Sequence, residues 1–154
     1  MEEKKQSAKI RMAAMDLLSY REFSRLELTN KLAKKFENSP LIEAVISQLI
    51  KDDLQSDKRF SEAFVRSRIS RGQGEIRIRM ELKNRGIDIE LAQRAIDNSD
   101  IDWYSLAAEI AVNKFGEAKP VDSRERAKRM RFLQYRGFTY EQIRHALSKQ
   151  TTDN

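Results

Sequence analysis

The chain of 154 residues contains no cysteine, one histidine, two prolines and five glycines. The missing cysteine excludes disulfides, thiolate metal sites and a cysteine nucleophile, and it fits the reducing environment of the cytoplasm. A single histidine, His145, cannot build a histidine-based metal site. Carboxylate pairs such as Asp52-Asp53 belong to no larger acidic cluster, and no phosphate-binding loop motif occurs. These absences predict a protein that is not an enzyme and that needs no metal or cofactor.

Long apolar runs are also missing from the sequence. No stretch approaches the roughly 18 uninterrupted apolar residues that a membrane span requires. The first seven residues, MEEKKQS, lack the apolar core of a signal peptide. We therefore expect a soluble, intracellular protein without a membrane partner.

Charge is what the sequence has in abundance. Charged residues make up 35% of the chain and hydrophobic residues 40%, and the formal net charge is +6. Many Arg, Lys, Glu, Leu and Ala residues with few Gly and Pro residues favour a helical protein. The positive charge favours an acidic partner, either nucleic acid, an acidic protein face or an anionic membrane surface.

Apolar spacing and turn residues predict nine helices, and all the glycines and prolines fall at joints between them. A tail over residues 1–7 precedes the first helix, and Ser24-Arg-Leu-Glu27 has the pattern of a capping box at the start of the second. Pro40 is expected at the first position of the third helix. The remaining helices are predicted at about 57–71, 75–85, 88–98, 102–115, 123–136 and 139–149.

A weak internal repeat divides these helices into three groups. Leu32, Leu82 and Leu133 stand 50 and 51 residues apart, and Phe36, Gly86 and Gly137 keep the same offsets. Tandem helical modules bury their apolar faces largely against their neighbours. The prediction is an all-α, elongated tandem array of three-helix modules over residues 8–54, 55–99 and 100–150.

One segment carries conflicting signals. Residues 76–82, IRIRMEL, alternate apolar and polar side chains as a half-buried strand does. The windows equivalent by the repeat are helical in pattern, and no partner strand is visible, so a helix is preferred. In a helix, Ile78 and Leu82 lie on one side, whereas Ile76 and Met80 lie on another. That arrangement suits a helix that is contacted from two directions.

Arginines form two concentrations, one over residues 59–87 and the other over residues 124–136. Guanidinium groups bind phosphate or carboxylate through two parallel hydrogen bonds. Helical pairs such as Glu62–Arg66 and Glu81–Arg85 are the structural alternative, and they leave the other arginines without an obvious local partner. The candidate contact residues are Arg66, Arg68, Arg71, Arg77, Arg79 and Arg85, followed by Arg126, Arg129 and Arg131.

Aromatic residues concentrate in the last third of the chain, beside the second group of arginines. They are Trp103, Tyr104, Tyr135, Phe138 and Tyr140. Such rings can stack on bases, but their helical spacing favours positions in a hydrophobic core.

Residues 59–87, RFSEAFVRSRISRGQGEIRIRMELKNRGI, closely resemble the signature of the RecX regulatory proteins, which modulate the RecA recombinase. Looser similarity runs over most of the chain, from AMDLLSYREFSRLEL at 14–28 to RGFTYEQIRHAL at 136–147. The sequence departs from the family at Gln73, where an aromatic residue is usual, and at Glu75, where proline is common. Those departures bear on local contacts at the 72–74 joint.

The resemblance implies a regulator that lodges in the groove of the RecA–single-stranded DNA filament and contacts adjacent RecA protomers. It also implies lower ATP hydrolysis, strand exchange and coprotease activity, with effects on DNA repair and the SOS response. Direct contact with the DNA is left open, and we expect the protein to be a monomer. Two other readings remain: a nucleic-acid-binding module that acts without a protein partner, and a helical scaffold for some acidic protein.

Overall fold

The computed structural model describes residues 1–150, which form nine α-helices and no β-strand. The all-α prediction is therefore confirmed over this range. The helices are α1 (Glu2–Tyr20), α2 (Arg25–Lys35), α3 (Ile42–Lys51), α4 (Asp57–Ser70), α5 (Glu75–Asn84), α6 (Ile89–Asn98), α7 (Trp103–Phe115), α8 (Ser123–Tyr135) and α9 (Tyr140–Ser148).

Two local predictions need correction and one is confirmed. Helix α1 begins at Glu2, so the segment expected to be a tail is helical from its second residue. Glu2 and Glu3 lie in the first turn, where negative charge is favourable. Pro40 precedes the N-cap residue Leu41 and is not the first residue of α3. Residues 76–82 lie within α5, which confirms the choice of helix over strand.

The capping box predicted at α2 is present, and α9 begins with a second one. The Glu27 backbone amide donates to Ser24 Oγ over 3.1 Å, and the Ser24 amide donates to Glu27 Oε1 over 3.1 Å. Thr139 and Gln142 make the equivalent pair of bonds at α9. The Ser24 hydroxyl also donates to the carbonyl of Arg85 over 2.8 Å. This cap therefore joins the start of α2 to the end of α5.

Inter-residue contacts group the chain into two compact units. Unit 1 contains Met1–Phe64 and Leu82–Ala92, and unit 2 contains Val65–Glu81 together with the described residues from Gln93 onward. The sequence repeat predicts three modules, whereas the inter-residue contacts give two units. The numbers differ because residues of the middle module, 55–99, are divided between unit 1 and unit 2. The module boundaries themselves stay a prediction.

Each unit has its own hydrophobic core. The core of unit 1 consists of residues from α1, α2 and α3 with Phe23, and the buried set is Ile10, Ala14, Phe23, Leu28, Leu32, Ile42, Val45, Ile46 and Leu49. The core of unit 2 lies mainly between α7, α8 and α9, and the buried set is Leu106, Ala107, Ala111, Leu133, Phe138, Ile143, Ala146 and Leu147. The repeat leucines, Leu32, Leu82 and Leu133, are all fully buried. The repeat thus marks equivalent core positions.

Within unit 2 the backbone at Gly74 touches the backbone at Gly137. The Gly74 amide donates to the Arg136 carbonyl over 2.8 Å, and the Ile76 amide donates to the Gly137 carbonyl over 3.0 Å. A Cβ atom on Gly74 would lie 2.5 Å from the carbonyl carbon and oxygen of Gly137. Only glycine permits this approach. It holds the start of α5 against the α8–α9 turn.

We expect Ser24→Ala to lower the free energy of unfolding by about 1–2 kcal/mol, because it removes both a helix cap and the bond to Arg85. The matched control is Ser67→Ala, at an exposed position inside α4, which should change stability by less than about 0.5 kcal/mol. Urea denaturation measures both. Equal effects of the two substitutions would contradict the role assigned to the Ser24 hydroxyl.

Candidate functional site

The nine candidate arginines fall into two groups by environment. Four are exposed and make no side-chain ion pair with any residue in the range 1–150: Arg66, Arg71, Arg126 and Arg131. The other five are half-buried or buried and are each held by a carboxylate: Arg68, Arg77, Arg79, Arg85 and Arg129. Sequence spacing did not separate these two groups.

Glu81 binds two of the candidate arginines at once. Its Oε2 lies 3.0 Å from Arg68 Nε, and its Oε1 lies 3.2 Å from Arg77 Nε. The Glu81 side chain is only 17% exposed, which limits the screening of both pairs by solvent. The expectation that Arg77 lacks a local partner is therefore wrong, since Glu81 lies four residues away on the same helix. Arg68 approaches Glu81 from another helix, which helical spacing within one segment cannot show.

Arg79 and Arg85 are also anchored. Arg79 Nη2 lies 3.6 Å from Glu75, and its Nε donates to Gln93 over 3.1 Å, so the expectation that it lacks a partner is wrong too. Arg85 Nε lies 3.4 Å from Glu27 in unit 1, with its guanidinium carbon 4.7 Å from the ring centroid of Phe64.

The predicted Glu62–Arg66 pair is absent from the described part of the chain, and Arg66 is exposed. Arg59, at the start of the arginine-rich segment, pairs with Asp53 at 2.8 Å and with Glu22 at 3.2 Å. Its hydrogen bond to Asp53 raises the pKa of Arg59. Arginines of the same segment thus differ in whether a carboxylate holds their guanidinium group.

Arg129 lies inside unit 2, with only 6% of its surface exposed. Its Nε lies 3.2 Å from Glu125, and its Nη1 donates to the Ala118 carbonyl over 2.8 Å and to Gln150 Oε1 over 3.0 Å. The buried Gln150 side chain donates in turn to the Gly116 carbonyl over 2.9 Å. Arg129 therefore has a structural role inside unit 2, and the contact role expected from the sequence stays a prediction.

Helix α8 presents a row of exposed cations in unit 2. Arg124, Lys128 and Arg131 line a shallow depression that also includes Asp122 and Glu125. Both carboxylates are already engaged, since Asp122 caps α8 through the Glu125 amide and Glu125 holds Arg129. With Arg126, which is also exposed, the helix carries positive charge that its neighbouring carboxylates do not neutralise. Such a surface attracts anions.

The aromatic residues of the last third do not share one environment. Phe138 is buried at 2% exposure, as predicted, but Tyr135 and Tyr140 are 76% and 63% exposed and do not belong to the core. Arg77 and Arg144 lie beside them, with guanidinium carbons 5.1 Å and 5.8 Å from the respective ring centroids. Both rings lie close to the ends of helices that meet at the α8–α9 turn.

Tyr104 is also partly exposed, at 39%. Its ring meets His145 edge-to-face, with 5.4 Å between centroids, and its hydroxyl lies 3.4 Å from Glu141 Oε2. The single histidine therefore takes part in a contact between α7 and α9.

Residues 1–150 hold no cluster of three or more His, Asp or Glu side chains placed to bind a metal ion. Their helices include none that is both long and apolar enough to cross a bilayer. The features that the described chain offers to a partner include exposed arginines, exposed aromatic rings and exposed apolar side chains such as those of Ile76 and Met80.

Family models match all three helical groups. The first three-helix domain of RecX matches residues 11–49, the second matches residues 56–96, and the third matches residues 100–147. The chain belongs to the RecX family. Each matched range lies within one of the three modules predicted from the repeat, and the family resemblance inferred from residues 59–87 is confirmed.

Individual relatives agree with this assignment. Regulatory protein RecX from Chromohalobacter salexigens is 46% identical over 143 residues, which cover 93% of each chain. Regulatory protein RecX from Halorhodospira halophila is 37% identical over 148 residues, or 96% of this chain and 92% of that one. The crystal structure of RecX from Lactobacillus salivarius matches with a TM-score of 0.79 at 25% identity, covering 96% and 97% of the two chains. Its relatives are thus named as regulatory proteins, which is consistent with a regulatory role in recombination.

We expect Arg129→Met to lower the free energy of unfolding by about 2–3 kcal/mol, because Glu125, Gln150 and the Ala118 carbonyl would lose their donor inside the fold. Arg126→Met, on the same helix at an exposed position, should change stability by less than about 0.5 kcal/mol. Urea denaturation of the two variants makes the comparison. A neutral Arg129→Met would contradict the structural role.

Proposed function

We propose that this RecX family member binds the RecA–single-stranded DNA filament and lowers its ATPase, recombinase and coprotease activities. In this role it is a cytoplasmic, non-enzymatic, monomeric modulator of DNA repair and the SOS response. The observation that carries the proposal is the match of three consecutive RecX domains over residues 11–147.

The exposed arginines provide the physical support. Arg66, Arg71, Arg126 and Arg131 all belong to unit 2 and are exposed. A filament of protein and DNA offers both carboxylates and phosphates, which guanidinium groups bind through two hydrogen bonds at once. We therefore place these four arginines first among the contact residues. Arg68, Arg77, Arg79 and Arg85 come second, because a carboxylate already takes up part of the hydrogen-bonding capacity of each guanidinium.

A second candidate function is binding to bare nucleic acid without a protein partner. The exposed cations of α8, namely Arg124, Arg126, Lys128 and Arg131, favour it. Binding of this kind rests on phosphate neutralisation, so its affinity falls steeply as salt rises.

The two candidates differ in stoichiometry. The protein should be titrated into RecA on single-stranded DNA, with ATP hydrolysis as the readout, beside a parallel titration of the bare DNA. Filament regulation predicts inhibition at ratios well below one molecule per RecA, with weak affinity for bare DNA. If inhibition begins only when the bare DNA is saturated, the second function is correct and the first is wrong.

The contact residues are tested by charge reversal. We expect Arg126→Glu with Arg131→Glu to raise the concentration needed for half-maximal ATPase inhibition about tenfold or more, because exposed guanidinium contacts become repulsive. The control is the double variant of Arg25→Glu and Arg94→Glu, which changes the net charge equally at two exposed arginines outside the candidate set. It should raise the concentration needed for half-maximal inhibition far less. If both double variants inhibit as the unaltered protein does, Arg126 and Arg131 are not contacts.

A further inference from the structure

Helix α5 has two apolar sides, and only one of them is covered in the described structure. Ile78 and Leu82 are fully buried, whereas Ile76 and Met80 are 47% and 55% exposed. Isolated exposed apolar residues are common on protein surfaces and need no explanation. This pair differs because two exposed tyrosines, Tyr135 and Tyr140, flank the turn that contacts the start of the same helix.

The start of α5 and the α8–α9 turn are in direct contact. The Ile76 amide donates to the Gly137 carbonyl, and the Gln142 side-chain amide donates to Glu75 Oε1 over 2.9 Å. Tyr135 ends α8 just before this turn, and Tyr140 begins α9 just after it. Met80 lies one helical turn beyond Ile76 on the same side of α5. We call Ile76, Met80, Tyr135 and Tyr140 the α5–turn surface.

The charges around the α5–turn surface are predominantly positive. Arg77 lies beside Tyr135 and Arg144 beside Tyr140, and Arg79 follows on α5. Three carboxylates lie nearby. Glu75 accepts from Gln142 and pairs with Arg79, Glu81 pairs with Arg68 and Arg77, and the exposed Glu141 lies 3.4 Å from the Tyr104 hydroxyl. Arg136, in the α8–α9 turn, and Arg144 pair with no carboxylate in residues 1–150, so the arginines outnumber the carboxylates. Each guanidinium has five N–H donors, so an arginine that holds one carboxylate can still bind another group. The surface therefore combines apolar area with cationic groups at its edge.

The side-chain composition favours a protein over a nucleic acid as the occupant. Single-stranded nucleic acid is bound mainly through flat rings that stack on its bases and through cations that neutralise its phosphates, so it does not require side chains such as those of Ile76 and Met80. Tyrosine, methionine and arginine are enriched where proteins contact one another. The positive edge complements carboxylates on the partner.

We propose that the α5–turn surface docks an apolar protein segment that carries carboxylates beside its apolar side chains. This inference rests on the proposed function, under which the segment belongs to a RecA protomer of the filament. It assigns the protein contact to α5 and the α8–α9 turn, which the arginine pattern alone does not do.

The test uses a double variant that combines Ile76→Gln and Met80→Gln. Its control is the single variant Met12→Gln. Met12 lies on α1 and is 69% exposed, so it serves as a matched control for loss of an exposed apolar side chain. Glutamine keeps a good helix propensity, and circular dichroism verifies that each variant stays folded. Binding is measured to the RecA–single-stranded DNA filament and to bare single-stranded DNA. We expect the double variant to lose about tenfold or more in filament affinity, with the control and the bare DNA affinity unchanged.

The charge of the partner is tested at a single position. Met80→Glu and Met80→Lys place opposite charges at the same exposed site, and an acidic partner makes the glutamate variant the weaker binder by about tenfold. Equal losses, or a greater loss for lysine, would overturn the acidic character of the partner.

The outcomes separate this inference from the function on which it rests. If the unaltered protein binds the filament and the double variant binds equally well, the inference is wrong and the proposed function stands. If the double variant loses bare DNA affinity in parallel, the surface contacts nucleic acid and the inference is again wrong. If the unaltered protein does not bind the filament, the proposed function fails and the inference fails with it.

Discussion

The backbone contact between Gly74 and Gly137 determines how α5 is placed in unit 2. The first amides of a helix have no acceptor inside the helix, and here the α8–α9 turn supplies acceptors for Gly74 and Ile76. A side chain at Gly74 would prevent that approach. Once the start of α5 is fixed against the turn, Ile78 enters the core while Ile76 and Met80 face outward. The exposed side of the helix thus follows from the same contact that buries the other side.

The arginines serve two purposes with the same chemistry. Glu81 holds Arg68 and Arg77, and Glu125 holds Arg129 inside unit 2. A half-buried carboxylate that loses its guanidinium partner is costly, so such arginines stabilise the fold. Exposed arginines, such as Arg126 and Arg131, contribute little to stability because solvent screens them.

Local features of the fold could be predicted from the sequence, whereas the pairing of side chains could not. The capping boxes at Ser24 and Thr139 depend on residues three positions apart, and both are present. The partners of Arg68 and Arg85 come from other helices, so only packing shows them. The exposure of Tyr135 could not be predicted either, because helical spacing indicates which residues share a side but not which sides are covered. The one sequence signal for an exposed apolar surface was the second apolar side of α5, which carries Ile76 and Met80.

Amide hydrogen exchange at Ile76, followed by NMR, tests the central contact most directly. Ile76 and Glu43 are each the second residue of a helix, where amides ordinarily lack an acceptor and exchange quickly. Because the Ile76 amide donates to Gly137, it should exchange at least about a hundred times more slowly than the exposed Glu43 amide, a difference typical of amides that open only with the surrounding structure. Equal, fast exchange at both positions would show that the α8–α9 turn does not hold the start of α5.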